Sequence, residues 1–282
     1  MSIKVNNLSK YSAKALNLFL YYILIYKHLI SYIISKQDDY LVPPKRIIFI
    51  GDGDFRDIGN EFLKYFADYG NLKPDDRVLD VGCGIGRMAL PLTNYLSDKG
   101  EYWGFDIVKE GIDWCRTIYP IRFKNFHFQL ADIYNRTYNH RGYFQASNYK
   151  FPYENSYFDF IFLTSVFTHM LLEEIENYIS EISRVIKPNK NFLATFFLLN
   201  SESLGNINSS LSSLEFKFEI DGGLTTNSHT PEDAVAFDEN IIKEIYEKHG
   251  LEIYTPIHYG AWCGRDCFVS YQDIIIATKR GK

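Results

Sequence analysis

Val78-Leu79-Asp80-Val81-Gly82-Cys83-Gly84-Ile85-Gly86-Arg87 decides the fold. An apolar stretch ends in an acid and runs directly into a glycine-rich turn. Behind the turn, Met88 to Leu96 carries the apolar spacing of a helix. A strand, a glycine turn and a helix form the unit from which open α/β sheets are built. Ligands of such sheets sit outside the carboxyl ends of the strands. Glycine admits positive φ and lets a ligand approach the backbone closely. The spacing also discriminates. A dinucleotide fingerprint starting at Gly82 requires a third glycine at position 87, where this chain has Arg87. An acid at position 80 is badly placed beside a pyrophosphate. It suits a ligand carrying a cationic amino group and a sulfonium.

Reading outward, strands and helices alternate. Tyr102 to Phe105, Phe126 to Leu130, Phe158 to Leu163 and Phe192 to Leu198 read as strands after Arg77 to Val81. Gly111 to Ile118 and Leu171 to Ile186 read as helices between them. The pattern predicts a doubly wound, mostly parallel sheet. Glu239 to His249 reads as a helix stopped by Gly250. Leu251 to Pro256 and Ser270 to Ala277 follow as two strands with no helix between them, which predicts an antiparallel hairpin at one edge. Ser201 to Ser213 is a Ser- and Asn-rich loop or short helix, and Phe216 to Ile220 is a further short strand. Upstream, Asp54 is placed to cap a helix patterned by Ile58, Phe62, Leu63 and Phe66.

With these landmarks in order, residues 72–195 resemble class I S-adenosylmethionine (SAM)-dependent methyltransferases of the small-molecule group. The resemblance implies an α/β, Rossmann-like fold with a seven-stranded sheet, SAM as cofactor and S-adenosylhomocysteine as product. It also implies roles. Asp80 and the loop Gly82, Cys83, Gly84, Gly86, continued by Arg87, hold the methionyl part. Asp106 binds the ribose hydroxyls and Ile107 packs on adenine. The Ala131-Asp132-Ile133 loop supplies Asp132 to the adenine amino group. Thr164 closes the fourth strand beside the transferred methyl. Asn189-Lys190 stands where the family usually has two glycines. Bacterial enzymes of unassigned substrate share Val42-Pro43-Pro44-Lys45-Arg46 and Ser165-Val166-Phe167-Thr168-His169-Met170. The fold alone leaves open a catalytically silent methyltransferase-like scaffold.

His169, after the fourth strand, is the candidate general base, and the alternative is that it only orders its loop. Tyr259, Trp262 and Arg265, from the aromatic run before the last strand, are candidate contacts to a small-molecule acceptor such as a sugar, an aromatic metabolite or a lipid-linked intermediate. Their alternative is a packed turn. The formal net charge of −5 and the lack of a basic run argue against nucleic acid as partner. The four cysteines, Cys83, Cys115, Cys263 and Cys267, do not form a disulfide framework in a chain of 282 residues, and no metal site is expected. Free thiols fit a cytoplasmic protein.

Residues 15–34 are mostly apolar and nearly long enough to span a bilayer, but Lys27 and His28 interrupt them. A central Lys costs roughly 3 kcal/mol on insertion. The segment reads as a helical lid, an interfacial helix giving peripheral membrane association, or a span. Val42-Pro43-Pro44 separates this N-terminal helix, residues 1–40, from a domain of residues 41–282.

Overall fold

The computed structural model describes residues 19, 20, 22, 23, 25–27, 30, 38–51 and 53–281. The chain divides into two compact units, Met1–Arg46 and Ile47–Lys282. In the first, the described residues between 19 and 30 are helical, and a 3-10 turn covers Asp38–Leu41. The lid or membrane reading of residues 15–34 falls largely outside the described residues. Among those described, no helix is long and apolar enough to cross a membrane.

In the second unit, strand β1 (Arg77–Val81) is an interior strand of a seven-stranded sheet. It pairs in parallel with β2 (Glu101–Asp106) on one side and β4 (Phe158–Leu163) on the other. Beyond β2 lies β3 (Phe126–Leu130), and beyond β4 lies β5 (Ile186–Phe196), both parallel to their neighbours. The strand order therefore reverses at β1, and open α/β sheets bind ligands at such a switch point. Past β5, β11 (Asp273–Lys279) and then β10 (Leu251–Ile253) run antiparallel at the edge, as the hairpin reading predicted.

The central strands are buried on both faces, which explains their unbroken apolar runs. On β4 the faces alternate. Phe160 and Phe162 meet Phe66 of helix α1 (Phe55–Asp68), with the Phe66 and Phe162 rings stacked at 4.2 Å. Ile161 and Leu163 share a cluster with Ile175, Ile179 and Ile182. Those three lie on α4 (Leu172–Val185), which follows α2 (Ala89–Tyr95) and α3 (Lys109–Ile118) in the chain. Asp54 caps α1 by accepting from the Arg56 and Asp57 amides. Asn189 occupies the left-handed region at φ 59°, a conformation Asn tolerates, and so serves where glycines usually stand.

The alternation signal did not reveal a second sheet, because its strands are two to four residues long. β6 (Leu198–Leu199), β7 (Phe218–Ile220), β8 (Gly223–Thr225) and β9 (Val235–Asp238) pair in the order β6-β9-β8-β7. Helix α5 (Ser201–Asn208) leads into it, and α6 (Glu239–Lys248) returns the chain to the main sheet. Phe197, Leu199, Phe216, Ala236 and Trp262 form its core. Below them the fully buried Asp273 carboxylate accepts four hydrogen bonds. The donors are the Leu198 and Gly260 amides and the Trp262 indole, each at 2.7 Å, and Arg265 Nη1 at 3.1 Å.

Removing Arg265 strands this carboxylate, and stranding one member of a buried pair costs about 3–5 kcal/mol. Urea unfolding of Arg265→Ala is expected to show a loss of that order. Burial pushes the Asp273 carboxyl up to about 6, so the loss is expected to be smaller below pH 6, where the proton removes the unpaired charge, than above it.

Candidate active site

The end of β1 places Asp80 at the sheet's switch point with no exposure to solvent. Its Oδ2 accepts from the Tyr102 hydroxyl of β2 at 2.6 Å. Its Oδ1 is buried without a hydrogen-bond partner in the protein, and Asp80 lines a cavity of about 260 Å³. Burial, with Asp106 nearby, pushes the Asp80 carboxyl up to about 8, although the Tyr102 hydroxyl opposes the shift. Buried carboxylate oxygens nearly always have donors. An orphaned one in a cavity marks the place for a cationic group from a ligand.

The turn after β1 needs its glycines. Gly82, Gly84 and Gly86 have φ of 81°, 56° and 86°. A Cβ on Gly82 would lie 2.4 Å from Val166 Cγ2, so the loops after β1 and β4 are packed as closely as glycine allows. The Gly82 and Cys83 amides both donate to the Phe105 carbonyl, at 2.9 and 3.0 Å. Asp106, at the end of β2, accepts from the Gly84 amide at 2.8 Å and the Val108 amide at 2.7 Å, one on each oxygen. Burial raises its pKa, and those backbone donors partly counter the shift. Each oxygen keeps a lone pair for a diol. Ile107 and Ile133 supply apolar walls beside it, and the Cys83 thiol, which burial holds protonated, also lines the cavity.

On the other side, Thr164 and Ser165 form the wall at the end of β4. Ser165 is held in the left-handed region at φ 57°, an uncommon conformation outside glycine. Its amide donates to Thr195 Oγ1 at 2.8 Å, and its hydroxyl bonds Gln272 Oε1 at 3.1 Å. His169 follows in a 3-10 turn (Phe167–His169) and lines the same cavity. Its Nδ1 lies 2.9 Å from the Glu232 carbonyl oxygen.

The structure thus brings Asp80, Gly82, Cys83, Gly84, Arg87, Asp106, Ile107, Ile133, Thr164 and His169 to one cavity. Gly86 stands one step back, its carbonyl accepting from the Tyr119 hydroxyl at 2.8 Å. Arg87 has a different task from its neighbours. Its Nη2 donates to the Ile50 and Gly51 carbonyls at 3.2 and 2.5 Å, which draws Phe49, Ile50 and Gly51 onto the cavity wall. Asp132 is exposed and does not line the cavity. Its carbonyl receives the Tyr143 and Phe144 amides.

Tyr259, Trp262 and Arg265 also lie off the cavity. Tyr259 donates to Glu239 at 2.9 Å and sits under the Arg265 guanidinium, while Trp262 is buried on Asp273. All three knit the second sheet to the main one. Among the described residues, no group of three or more His, Cys, Asp or Glu forms a metal cluster. The sequence reading missed Met170, Glu174 and Tyr178, which line the cavity from the α4 side. They recur every four residues, a helical stripe that reads equally well as core. It also missed Tyr134 and Asn135, for which no local signal exists.

This geometry has relatives. A model of the methyltransferase domain family matches residues 72–250, more than half of the chain. A probable cobalt-precorrin-6B C(15)-methyltransferase (decarboxylating) from Thermoplasma acidophilum is 28% identical over 121 residues, 41% of this chain and 51% of that protein. The chain therefore matches about half the length of that curated relative. Among solved structures, a SAM-dependent methyltransferase from Methanosarcina mazei superposes with a TM-score of 0.51 at 22% identity, over 77% of this chain and 98% of that one. A protein from Pyrococcus horikoshii OT3 gives 0.55 at 16% identity, over 86% and 99%. The geranyl diphosphate C-methyltransferase of Streptomyces coelicolor A3(2), solved with S-adenosylhomocysteine, gives 0.50 at 11% identity, over 79% and 78%. The fold is that of these proteins, and the chain belongs to the methyltransferase domain family. The resemblance read from the sequence implies SAM as its cofactor.

The residues present fit that cofactor. The bare Asp80 oxygen suits its amino group, Asp106 its ribose and the two isoleucines its adenine. Two measurements follow. Since a carboxylate must meet the amino group, binding of S-adenosylhomocysteine is expected to release about one proton near neutral pH. Its affinity should then rise with pH until about 8 and flatten above. Calorimetry in buffers of different ionisation enthalpy reads this directly, and no proton release would contradict it. Asp106→Ala removes charge-assisted bonds worth about 1.5–3 kcal/mol each, so roughly tenfold to a hundredfold or more of affinity should go with it.

Proposed function

We propose that this enzyme moves the methyl group of SAM to an oxygen or nitrogen atom of a small-molecule acceptor, with His169 as general base. One observation carries the reading: His169 lines the same cavity as Asp80 and Asp106, on the wall formed after β4. When bound, the cofactor supplies an electrophilic methyl on a sulfonium and leaves as a neutral thioether. The chain's own residues do the rest. Asp80 and Asp106 hold the two ends of the binding site in register. Ser165, kept in its uncommon backbone conformation by Thr195 and Gln272, shapes the wall where the acceptor must arrive. His169 takes the acceptor's proton as the bond forms, which matters most for a hydroxyl. Holding acceptor and methyl in line supplies most of the remaining rate.

The acidic net charge supports a small molecule over nucleic acid. A carbon acceptor is the second reading, because the Thermoplasma acidophilum relative is described as a C(15)-methyltransferase. An acidic C–H would need the same base.

The test is a screen of hydroxyl, amine and acidic-carbon acceptors with methyl-labelled SAM. With a hydroxyl acceptor, His169→Gln is expected to lower kcat by about a hundredfold to ten-thousandfold, the usual worth of a general base. Affinity for S-adenosylhomocysteine should change by less than about tenfold, or 1.4 kcal/mol. Normal turnover in His169→Gln would remove the base assignment. Failure of the folded protein to bind S-adenosylhomocysteine would point instead to a silent scaffold.

A further inference from the structure

A turn of the second sheet meets a side chain that lines the cavity. Glu232 lies in the 3-10 turn Pro231–Asp233, between β8 and β9, and its carbonyl oxygen is the partner of His169 Nδ1 at 2.9 Å. A peptide carbonyl has no proton to give. In the neutral ring the proton must therefore sit on Nδ1, which leaves Nε2 with its lone pair on a ring that lines the cavity.

The turn is itself held from beneath. Thr225, fully buried on β8, places its hydroxyl 2.7 Å from the Pro231 carbonyl and 3.0 Å from the Ala234 carbonyl. Asn227 ties the exposed side, donating to Asp233 Oδ2 at 2.7 Å and accepting from the His229 amide at 2.9 Å. The same turn also reaches the opposite wall. Arg136 Nη1 donates to the His229 carbonyl at 2.5 Å, and Arg136 belongs to the loop whose Tyr134, Asn135 and Tyr138 line the cavity. One braced turn thus grips both the ring and the facing loop.

We propose that the turn at 227–234 is a positioning device, and that Glu232 acts through its backbone carbonyl to hold His169 in the tautomer with a bare Nε2. The second sheet then serves catalysis as well as stability. Its role rests on the reading of His169 as base, but the tautomer itself is measurable without an acceptor. The sequence gives no hint of such a role, because any residue at position 232 carries a carbonyl.

The experiment is a two-bond proton–nitrogen correlation spectrum of the full chain, labelled with ¹⁵N-histidine and saturated with S-adenosylhomocysteine. His169→Gln assigns the ring. The wild type is expected to show a protonated Nδ1 and a bare Nε2. In Thr225→Val, which loosens the turn, the two nitrogen signals should converge as tautomers mix, and Thr225→Ser should restore their separation. Affinity for S-adenosylhomocysteine should stay within about twofold in both variants. A bare Nδ1 in the wild type overturns the proposal, as does an unchanged pattern in folded Thr225→Val. If Thr225→Val does not fold, Asn227→Ala loosens the same turn from its exposed side and is read the same way. The two claims fail separately. A protein that binds no S-adenosylhomocysteine but keeps the pattern loses the methyltransferase reading, whereas normal turnover in His169→Gln removes the base and leaves the ring contact standing.

Discussion

The carboxylate of Asp106 ties the glycine loop after β1 to the start of helix α3. It takes the Gly84 amide on one oxygen and the Val108 amide on the other. The first amide comes from the loop after β1 and the second from the entry to α3. A loop with three glycines at positive φ has more backbone freedom to lose than any other. Buried charge-assisted bonds of this kind offset that loss. Once the loop is tied, its backbone lines one side of the cavity and Asp80 is left at the bottom. The far wall, from Thr164 to His169, packs against that loop where Val166 meets Gly82.

Three buried carboxylates show how position separates structure from function. Asp273 has four donors for its two oxygens and nothing left to offer. It holds the second sheet in place. Asp106 has two backbone donors and keeps acceptor capacity toward the cavity. Asp80 has one donor and an oxygen with none. Buried polar groups are satisfied almost everywhere in proteins, so the unsatisfied one lies where a ligand completes it. The same accounting explains why Trp262 and Arg265, attractive as substrate contacts, are occupied by Asp273.

Much of the fold was legible in residue pattern. The strand–turn–helix at Arg77–Leu96, the alternating units after it and the terminal hairpin all follow from apolar period and glycine placement. Of the second sheet only β7 was legible, inside the Phe216 to Ile220 reading, since two to four residues are too few to show a period. Asp80, Asp106 and His169 were legible because the two acids end strands and the histidine lies in the loop after one, on the ligand side of the sheet. Phe49, Ile50 and Gly51 were not, because their place on the cavity wall depends on tertiary contacts such as the Arg87 hydrogen bonds.

The sequence by itself determined the frame of the cavity around Asp80, the glycine loop and Asp106, though not the place of Asp132. Local chemistry suffices there: an acid at a strand end, glycines where positive φ is required, and a second acid after the next strand. Tertiary structure alone decided which other side chains line the cavity. It placed Tyr259, Trp262 and Arg265 off the cavity, put Met170, Glu174 and Tyr178 on its wall, and set the Glu232 carbonyl against the His169 ring. The physical reason is the range of the interactions. A glycine turn is specified within ten residues, whereas the contact between His169 and Glu232 spans 63 positions and uses a backbone atom common to every residue.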